Sequence, residues 1–337
     1  MRTTLKDIAA YTGVSIASVS LILNNKPHRL SNDTCEKVFK AAEELHYRPN
    51  VLAKGLITNR TLTIGLILPD ITNAYFATIA KQIQIQLQEA DYNLFLCNTN
   101  DYPEKELSYV NSLLDRGVDG IILATATGSS AAKCQQIMLK ASRPLIFLDR
   151  TSPGVAAHSI CPDHELGGYI ATKHLIELGH RRIGCITGPM SLQSSKERFF
   201  GYIRALQEAG ISFNPEFIQE ADFRILSDYS KLETLLQKNV TAIFAHNDLI
   251  AYGVYQQAVQ HGFVIPKDFS LVGCDDLPFS QLMAVPLTTV VQPIKELSEG
   301  VVRLMLELLS DYKEKKIQTI KYAPQLVVRS STAEYHN

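Results

Sequence analysis

Residues 4–25 read TLKDIAAYTGVSIASVSLILNN. Leu5, Ile8 and Ala9 recur at helical spacing, Gly13 interrupts them, and a second helical run opens at Ser15 with Val19, Ile22 and Leu23 on one side. Thr4, with Asp7 three residues on, can close the first helix start reciprocally, and Ser15 can accept from the Ser18 amide at the second. The stretch predicts helix, tight turn, helix. Such a unit is used on DNA by laying its second helix in the major groove, where the first side chains reach base edges. Those are Ile16, Ala17 and Ser20, with Leu21 one turn on. Any two short amphipathic helices give this pattern, so DNA binding needs support from the rest of the chain.

Charge supplies some. The 337 residues carry a formal net charge of −1, which implies no polyanionic partner by itself. Residues 1–60, however, hold 9 Lys/Arg against 5 Asp/Glu, leaving the remainder acidic. A basic head on an acidic body suits contact with phosphates. The length allows two or three domains, and 46% apolar with 20% charged residues is the make-up of a folded protein with a large core. Cys35, Cys97, Cys134, Cys161, Cys185 and Cys274 are scattered, with no CxxC pair and no His at ligand spacing. Reduced, mostly buried thiols are expected, with no metal and no cofactor. No charged-then-apolar leader opens the chain, and no apolar run approaches the ~18 residues of a membrane helix, so a cytoplasmic location without a membrane partner is expected.

After a polar turn, a third helix is predicted from about Asn32 to Leu45, capped by Ser31, with Val38, Ala41, Ala42 and Leu45 as its apolar face. HYRPNVLAKGLITNRT then breaks that helix at Pro49 and offers one amphipathic turn, Asn50 to Leu56. Gly55 inside it costs roughly 1 kcal/mol relative to Ala, so this turn should be helical only when something holds it. The head is therefore expected over 1–49 and a hinge with its linker over 50–62.

From Thr63 the pattern changes to short apolar runs alternating with helical stretches: TIGLILP, NLFLC, GIILA, PLIFLD, RIGCIT, TAIFAH, FSLVGC and LTTVVQ. This is the mark of parallel sheets in α/β domains. About nine strands are too many for one tidy sheet, so two similar lobes are expected, with the helix after Pro293 returning to the first. In open α/β sheets the ligand lies outside the carboxyl ends of the strands, which for two lobes means the cleft between them. The strand ends are polar: Asp70 and Asn73, Asp149 and Arg150, Asn247 and Asp248, Asp275 and Asp276, then Gln292, with Tyr75, Phe76 and Phe223 nearby. Each alone reads as a loop residue or a helix N-cap. Five such ends together point to a polar ligand.

Enzyme signatures are missing: there is no GxxxxGKS loop, GxSxG elbow, HExxH or GxGxxG after a strand. His158, His164 and His246 read as loop or cap residues rather than bases. Asp149 and Asp275 could pass for a glycosidase pair, but each has a basic or amide neighbour suited to holding hydroxyls.

These segments, together with RPNVLAKGL, IGLILPDITNAYF, HLIELGHRRIGCITG, HNDLIAYGVYQ and PLTTVVQP, resemble the lactose/galactose repressor family over nearly the whole chain. The resemblance implies a helix-turn-helix headpiece, a hinge helix and a two-lobed α/β effector domain like the periplasmic binding proteins. It places 63–161 and 293–323 in an N-terminal lobe and 162–292 and 324–337 in a C-terminal lobe. It implies a homodimer on a pseudo-palindromic operator; with no heptads beyond the core, a dimer rather than a tetramer is expected. Within the family the cleft looks most like those of ribose repressors and ribose-binding proteins. The matching positions are Asn73, Tyr75, Phe76, Asp149, Arg150, Arg198, Phe223, Asn247, Asp275 and Gln292. Purine-responsive relatives place a basic residue and a hydroxyl where this chain has Leu192 and Ser194, which argues against a purine corepressor.

The same resemblance matches Leu56 to a hinge residue that wedges into the minor groove. The recognition helix departs from the family pattern: Ile16, Ala17 and Leu21 offer no bidentate donor and can read thymine methyls but not guanine edges. Thr4, Ser15, Ser18, Ser20, Asn24 and Asn25 are expected on the DNA backbone, with Lys6, Arg29 and Lys54 adding charge. The function so implied is a repressor released by a small sugar, ribose first. The alternatives are another pentose or hexose, a corepressor, and, further off, a transport binding protein or a sugar-processing enzyme.

Overall fold

The computed structural model describes residues 3–24, 27, 29–47, 60–126, 128–152, 154–310 and 316–336. They fall into two compact units, Met1–Thr61 and Leu62–Asn337. Asn25, Lys54, Leu56 and the hinge turn expected around them lie outside the described residues.

The first unit holds α1 (Leu5–Thr12), α2 (Ile16–Leu23) and α3 (Asn32–Glu44). Both expected caps form: Thr4 and Asp7 close a capping box, and the Ser15 hydroxyl accepts from the Ser18 amide at 3.2 Å. Gly13 adopts φ 69°, a left-handed conformation that suits glycine, and the chain bends by 110° between α1 and α2. Ile8, Val19, Ile22, Val38 and Ala41 form the core. A core of this size leaves little margin of stability.

The second unit is built on two six-stranded sheets. The first contains β1 (Thr63–Leu68), β2 (Asn93–Asn98), β3 (Gly120–Leu123), β4 (Leu145–Leu148), β5 (His158–Pro162) and β11 (Thr319–Tyr322), in the order β11-β5-β4-β3-β1-β2, all parallel. The second contains β6 (Ile183–Thr187), β7 (Ile218–Glu220), β8 (Ala242–Ala245), β9 (Ser270–Asp275), β10 (Thr288–Val291) and β12 (Gln325–Val327), in the order β12-β10-β9-β8-β6-β7. Only the β10–β12 pair is antiparallel there. β1 is buried on both faces, as a continuous apolar run in a covered parallel sheet must be.

Helices cover the sheets: α4 (Ala74–Glu89), α5 (Pro103–Asp115), α6 (Gly128–Lys140), α7 (His164–Glu177), α8 (Gln193–Glu208), α9 (Tyr229–Gln237), α10 (Asp248–Gln260) and α11 (Ile294–Ser310). α11 does return to the first sheet, where Leu297, Val301, Met305 and Leu308 pack with Ile64, Leu66, Ile79 and Ile83. The chain passes between the lobes after β5, after β10 and between β11 and β12. Leu277, which follows β9 of the second lobe, packs into the core of the first with Leu249 and Tyr252 beside it.

Among the described residues the body has twelve strands where about nine were expected. The additional ones include β7, β11 and β12, three or four residues long and only partly buried. They lie at sheet edges, where pairing rather than an apolar run defines a strand.

Candidate ligand-binding site

The carboxyl ends of the two sheets meet around a small cavity lined by Asn73, Tyr75, Phe76, Asp149, Arg150, Ser194, Arg198, Phe223, Asn247 and Asp275. Nine of the ten residues expected at the ligand are brought together there.

Each is held by its own element. Asn73 caps α4, its Oδ1 accepting from the Tyr75 amide at 3.0 Å, and Asn247 caps α10, its Oδ1 accepting from the Ile250 amide at 2.9 Å. Cap and ligand residue are therefore not alternatives: capping consumes the oxygen and leaves the NH₂ group as donor. Asp149 directly follows β4 and Asp275 ends β9, with φ 62° and 118°, conformations rare for residues with a side chain. The Tyr75 hydroxyl donates to Asp149 Oδ1 at 2.8 Å. Arg150 donates to Asp101 at 2.6 Å and lies over the rings of Phe76 and Phe223, 5.4 and 5.6 Å from their centroids. Arg198 donates to the His246 carbonyl at 2.7 Å and also faces the Phe223 ring.

The cavity is thus a desolvated set of opposite charges. Burial pushes the Asp275 carboxyl up to about 7, against the pull of the Arg198 guanidinium. Burial, with the Asp149 carboxylate beside it, holds the Tyr75 phenol well above its ordinary range, so it stays a donor. Two guanidiniums, two amides and a phenol donate; two carboxyl groups accept; three aromatic rings provide apolar faces.

Gln292 departs from expectation. It is not among the lining residues: its Nε2 donates to Asp275 Oδ1 at 3.3 Å and to Cys274 Sγ at 3.2 Å, so it orients a carboxylate from behind. Ser194 lines the cavity and was missed as a ligand residue. It lies four residues before Arg198 on α8, the spacing that puts two side chains on one helix face. His246 lies in the loop between β8 and α10 as expected, and His164 is the first residue of α7 rather than its cap; both are buried beneath the cavity, and burial with Arg198 nearby keeps both imidazoles neutral at pH 7. Asp70 closes its own turn on Thr72, Asp276 pairs with Arg329 at 2.6 Å, and Asp248 accepts from the Leu277 amide and the hydroxyls of Ser280 and Thr289.

On the head, Lys6, Ser15, Ile16, Ala17, Asn24 and Arg29 are exposed, while Ser18, Ser20 and Leu21 are half-buried. Thr4 and Ser15 are engaged in caps, and the Asn24 amide donates to the Ser20 carbonyl at 2.8 Å. Among the described residues, no group of three or more His, Cys, Asp or Glu could hold a metal, and no single helix is long and apolar enough to cross a membrane. All six cysteines are free.

A helix-turn-helix head in one chain with a two-lobed α/β body, polar and hollow at its strand ends, defines a ligand-responsive DNA-binding regulator. Residues 4–50 match "Bacterial regulatory proteins, lacI family", and residues 61–321 match "Periplasmic binding proteins and sugar binding domain of LacI family". The chain is 37% identical over 337 residues to the HTH-type transcriptional regulator DegA of Bacillus subtilis, covering 99% of each. It is 34% identical over 330 residues to the HTH-type transcriptional repressor PurR of Aliivibrio salmonicida, covering 97% of this chain and 98% of the relative. Among solved structures, a Lac repressor dimer bound to operator and the anti-inducer ONPF matches with TM-score 0.88 and 28% identity over 99% of this chain and all of the other. A regulator from Enterococcus faecium with bound ribose matches with TM-score 0.73 and 29% identity over 81% of this chain and all of the other. The chain belongs to the LacI family. It is a DNA-binding transcriptional regulator controlled by a small molecule, and not an enzyme.

Proposed function

We propose that the chain is a transcriptional repressor that holds operator DNA as a homodimer and is released by a small sugar, D-ribose first among them. The observation that carries this reading is the build of the cavity. Its amides, guanidiniums and carboxylates are each already oriented by a protein partner, and its aromatic rings can cover the C–H faces of a sugar whose hydroxyls both donate and accept. The ribose-bound regulator from Enterococcus faecium supports the same choice. Exposed Phe279 and Leu282, 67% and 72% accessible, with Ile85, Phe95 and Leu96, are apolar surface that a second copy would cover.

On DNA, Ile16 and Ala17 meet the major groove and read thymine methyls, Lys6 and Arg29 meet phosphates, and Leu56 wedges the minor groove. Sugar binding favours one arrangement of the lobes, and that arrangement separates the paired hinges. Linkage then requires operator and sugar to weaken each other by the same factor.

A purine corepressor is the second reading, favoured by the relatives named PurR. A thermal-shift screen against pentoses, hexoses and purine bases separates the two, since a ligand at 100 times its Kd stabilises by about 2.7 kcal/mol. Ribose titrated calorimetrically with and without operator duplex then tests the coupling; equal affinities would remove it.

A further inference from the structure

His164, the first residue of α7, is not part of the cavity wall yet touches it from behind. It is 3% exposed; its Nε2 lies 3.2 Å from the Asp149 carbonyl oxygen and 3.6 Å from Asp149 Oδ1, and its Nδ1 has no hydrogen-bond partner. α7 packs in the second lobe, where Ala171 and Leu175 join Tyr202 and Phe244. Asp149 directly follows a strand of the first. The contact therefore crosses the lobe boundary, from a helix that opens just after the chain has made its first crossing.

α7 is fastened to α8 backbone to backbone. A Cβ on Gly168 would stand 2.0 Å from the Arg198 carbonyl oxygen, and one on Gly201 2.0 Å from that of Glu165. His164 and Arg198 are therefore carried on one rigid pair of helices. That pair addresses both cavity carboxyls: Arg198 lies 3.7 Å from Asp275, and His164 faces Asp149.

The two oxygens in front of His164 Nε2 only accept, so the ring proton belongs on Nε2. Burial and the Arg198 guanidinium, opposed by Asp149 and Glu197, lower the imidazole pKa to about 4, which keeps the ring neutral near pH 7. A neutral donor can bond Asp149 without adding positive charge beside Arg198. Asp149 itself, at φ 62°, is fixed by three contacts: its amide on the Ile160 carbonyl, Tyr75 on its Oδ1, and His164 on its carbonyl. Its Oδ2 remains for a ligand.

We propose that His164 is a positioning residue for effector binding: acting from the second lobe, it orients Asp149 of the first, so that this acceptor is set only when the two lobes are docked. The inference rests on the sugar reading of the cavity.

Calorimetric titration of the full-length protein with D-ribose tests it. His164→Leu should lower affinity at least tenfold, and His164→Gln, whose amide N–H takes the place of Nε2–H, should recover to within threefold. In an Asp149→Ala background His164→Leu should cost less than twofold more, because the group it orients is gone. A tenfold loss in both backgrounds marks a merely structural residue and overturns the proposal. Without sugar, long-range ¹⁵N–¹H spectra should show one imidazole, missing in His164→Gln, in the neutral Nε2–H form at about pH 5.5 and above. A ring in the Nδ1–H form, or titrating near its ordinary 6.5, also overturns it. A wild-type protein that ignores ribose defeats the sugar reading alone, and the histidine spectra then decide for His164.

Discussion

Arg198 and Asp275 face each other at 3.7 Å, each 5% exposed, at the centre of the cavity. The guanidinium depends on that partner, because a buried cation that cannot deprotonate keeps its desolvation cost when the attraction is lost, whereas the carboxyl, raised to about 7 by burial, can take up a proton. Arg198→Ala should therefore cost little through Asp275 itself and should lower ribose affinity at least a hundredfold, while operator binding without sugar changes little. Arg198→Lys should recover only part, since an ammonium cannot serve the His246 carbonyl and the carboxylate in the same planar geometry. Ribose affinity in Arg198→Ala within threefold of wild type would show that the cavity is not the sugar site.

Asp275 sets a pH dependence whose sign follows from burial. Its folded pKa, about 7, stands above the ordinary 3.8, so folding favours the neutral form. The stability this contributes is present in full below about 3.8 and lost as pH rises through about 7. Relative to Asp275→Asn, which cannot titrate, the wild type should therefore lose stability between about pH 4 and about pH 7. Asp248 works in the same direction and His164 in the opposite one, but both are common to the two proteins and cancel. Urea unfolding of both proteins across this range reads the difference; a wild type that gains stability relative to the variant as pH rises would show that Arg198, not burial, governs the carboxyl.

Asp248 was one strand-end carboxylate among several in the sequence, yet it supports the cavity rather than lining it. It accepts from the Leu277 amide at 2.8 Å and from Thr289 Oγ1 at 2.6 Å, with the Ser280 hydroxyl as a third donor, and so fixes the chain immediately after Asp275. Asp248→Ala leaves the Leu277 amide and the Thr289 hydroxyl buried without their acceptor, while Ser280 keeps its bond with Tyr252, which should cost roughly 3 kcal/mol and also weaken ribose binding through Asp275. Chemical unfolding checks the first effect and titration the second. A loss below about 1 kcal/mol would mean that the loop finds other acceptors.

The limits of reading the sequence follow from where each signal resides. α1 and α2 were legible because caps and the 3.6-residue period agree over Thr4–Leu23. Most inner strands were legible because burial on both faces demands unbroken apolar runs, as in TIGLIL, whereas β5, HSICP, is equally buried but broken by polar residues and was not expected. β11 and β12, with half-exposed polar residues, carry no such signal; their pairing is decided by the rest of the sheet. Asn73 and Asn247 were ambiguous between helix cap and cavity residue because they cap a helix and line the cavity at once. Arg198 lies inside α8 rather than at a strand end, so only the family resemblance located it, and Ser194 one turn before it was weighed only against a purine and not expected at the cavity. Gln292 and His164 act through a neighbouring carboxylate, a relation between distant segments that no local pattern encodes.

Gly13 offers a test of the head alone. Its φ is 69° and nothing lies within 4 Å of an added Cβ, so Gly13→Ala meets no clash and its cost is that of the left-handed backbone, about 1–2 kcal/mol. Gly210 in the body has φ 67° and equally open surroundings, which makes Gly210→Ala a control of matching strain. In a three-helix unit with a small core, such a loss is a large share of the total stability. Hydrogen exchange followed by mass spectrometry should therefore show protection in α1 and α2 falling about 5- to 30-fold in Gly13→Ala, with none lost in the body. Gly210→Ala should leave the head unchanged. Equal protection of α1 and α2 in wild type and Gly13→Ala would mean that the turn tolerates a side chain, and that its left-handed geometry is not what sets the angle between the two helices.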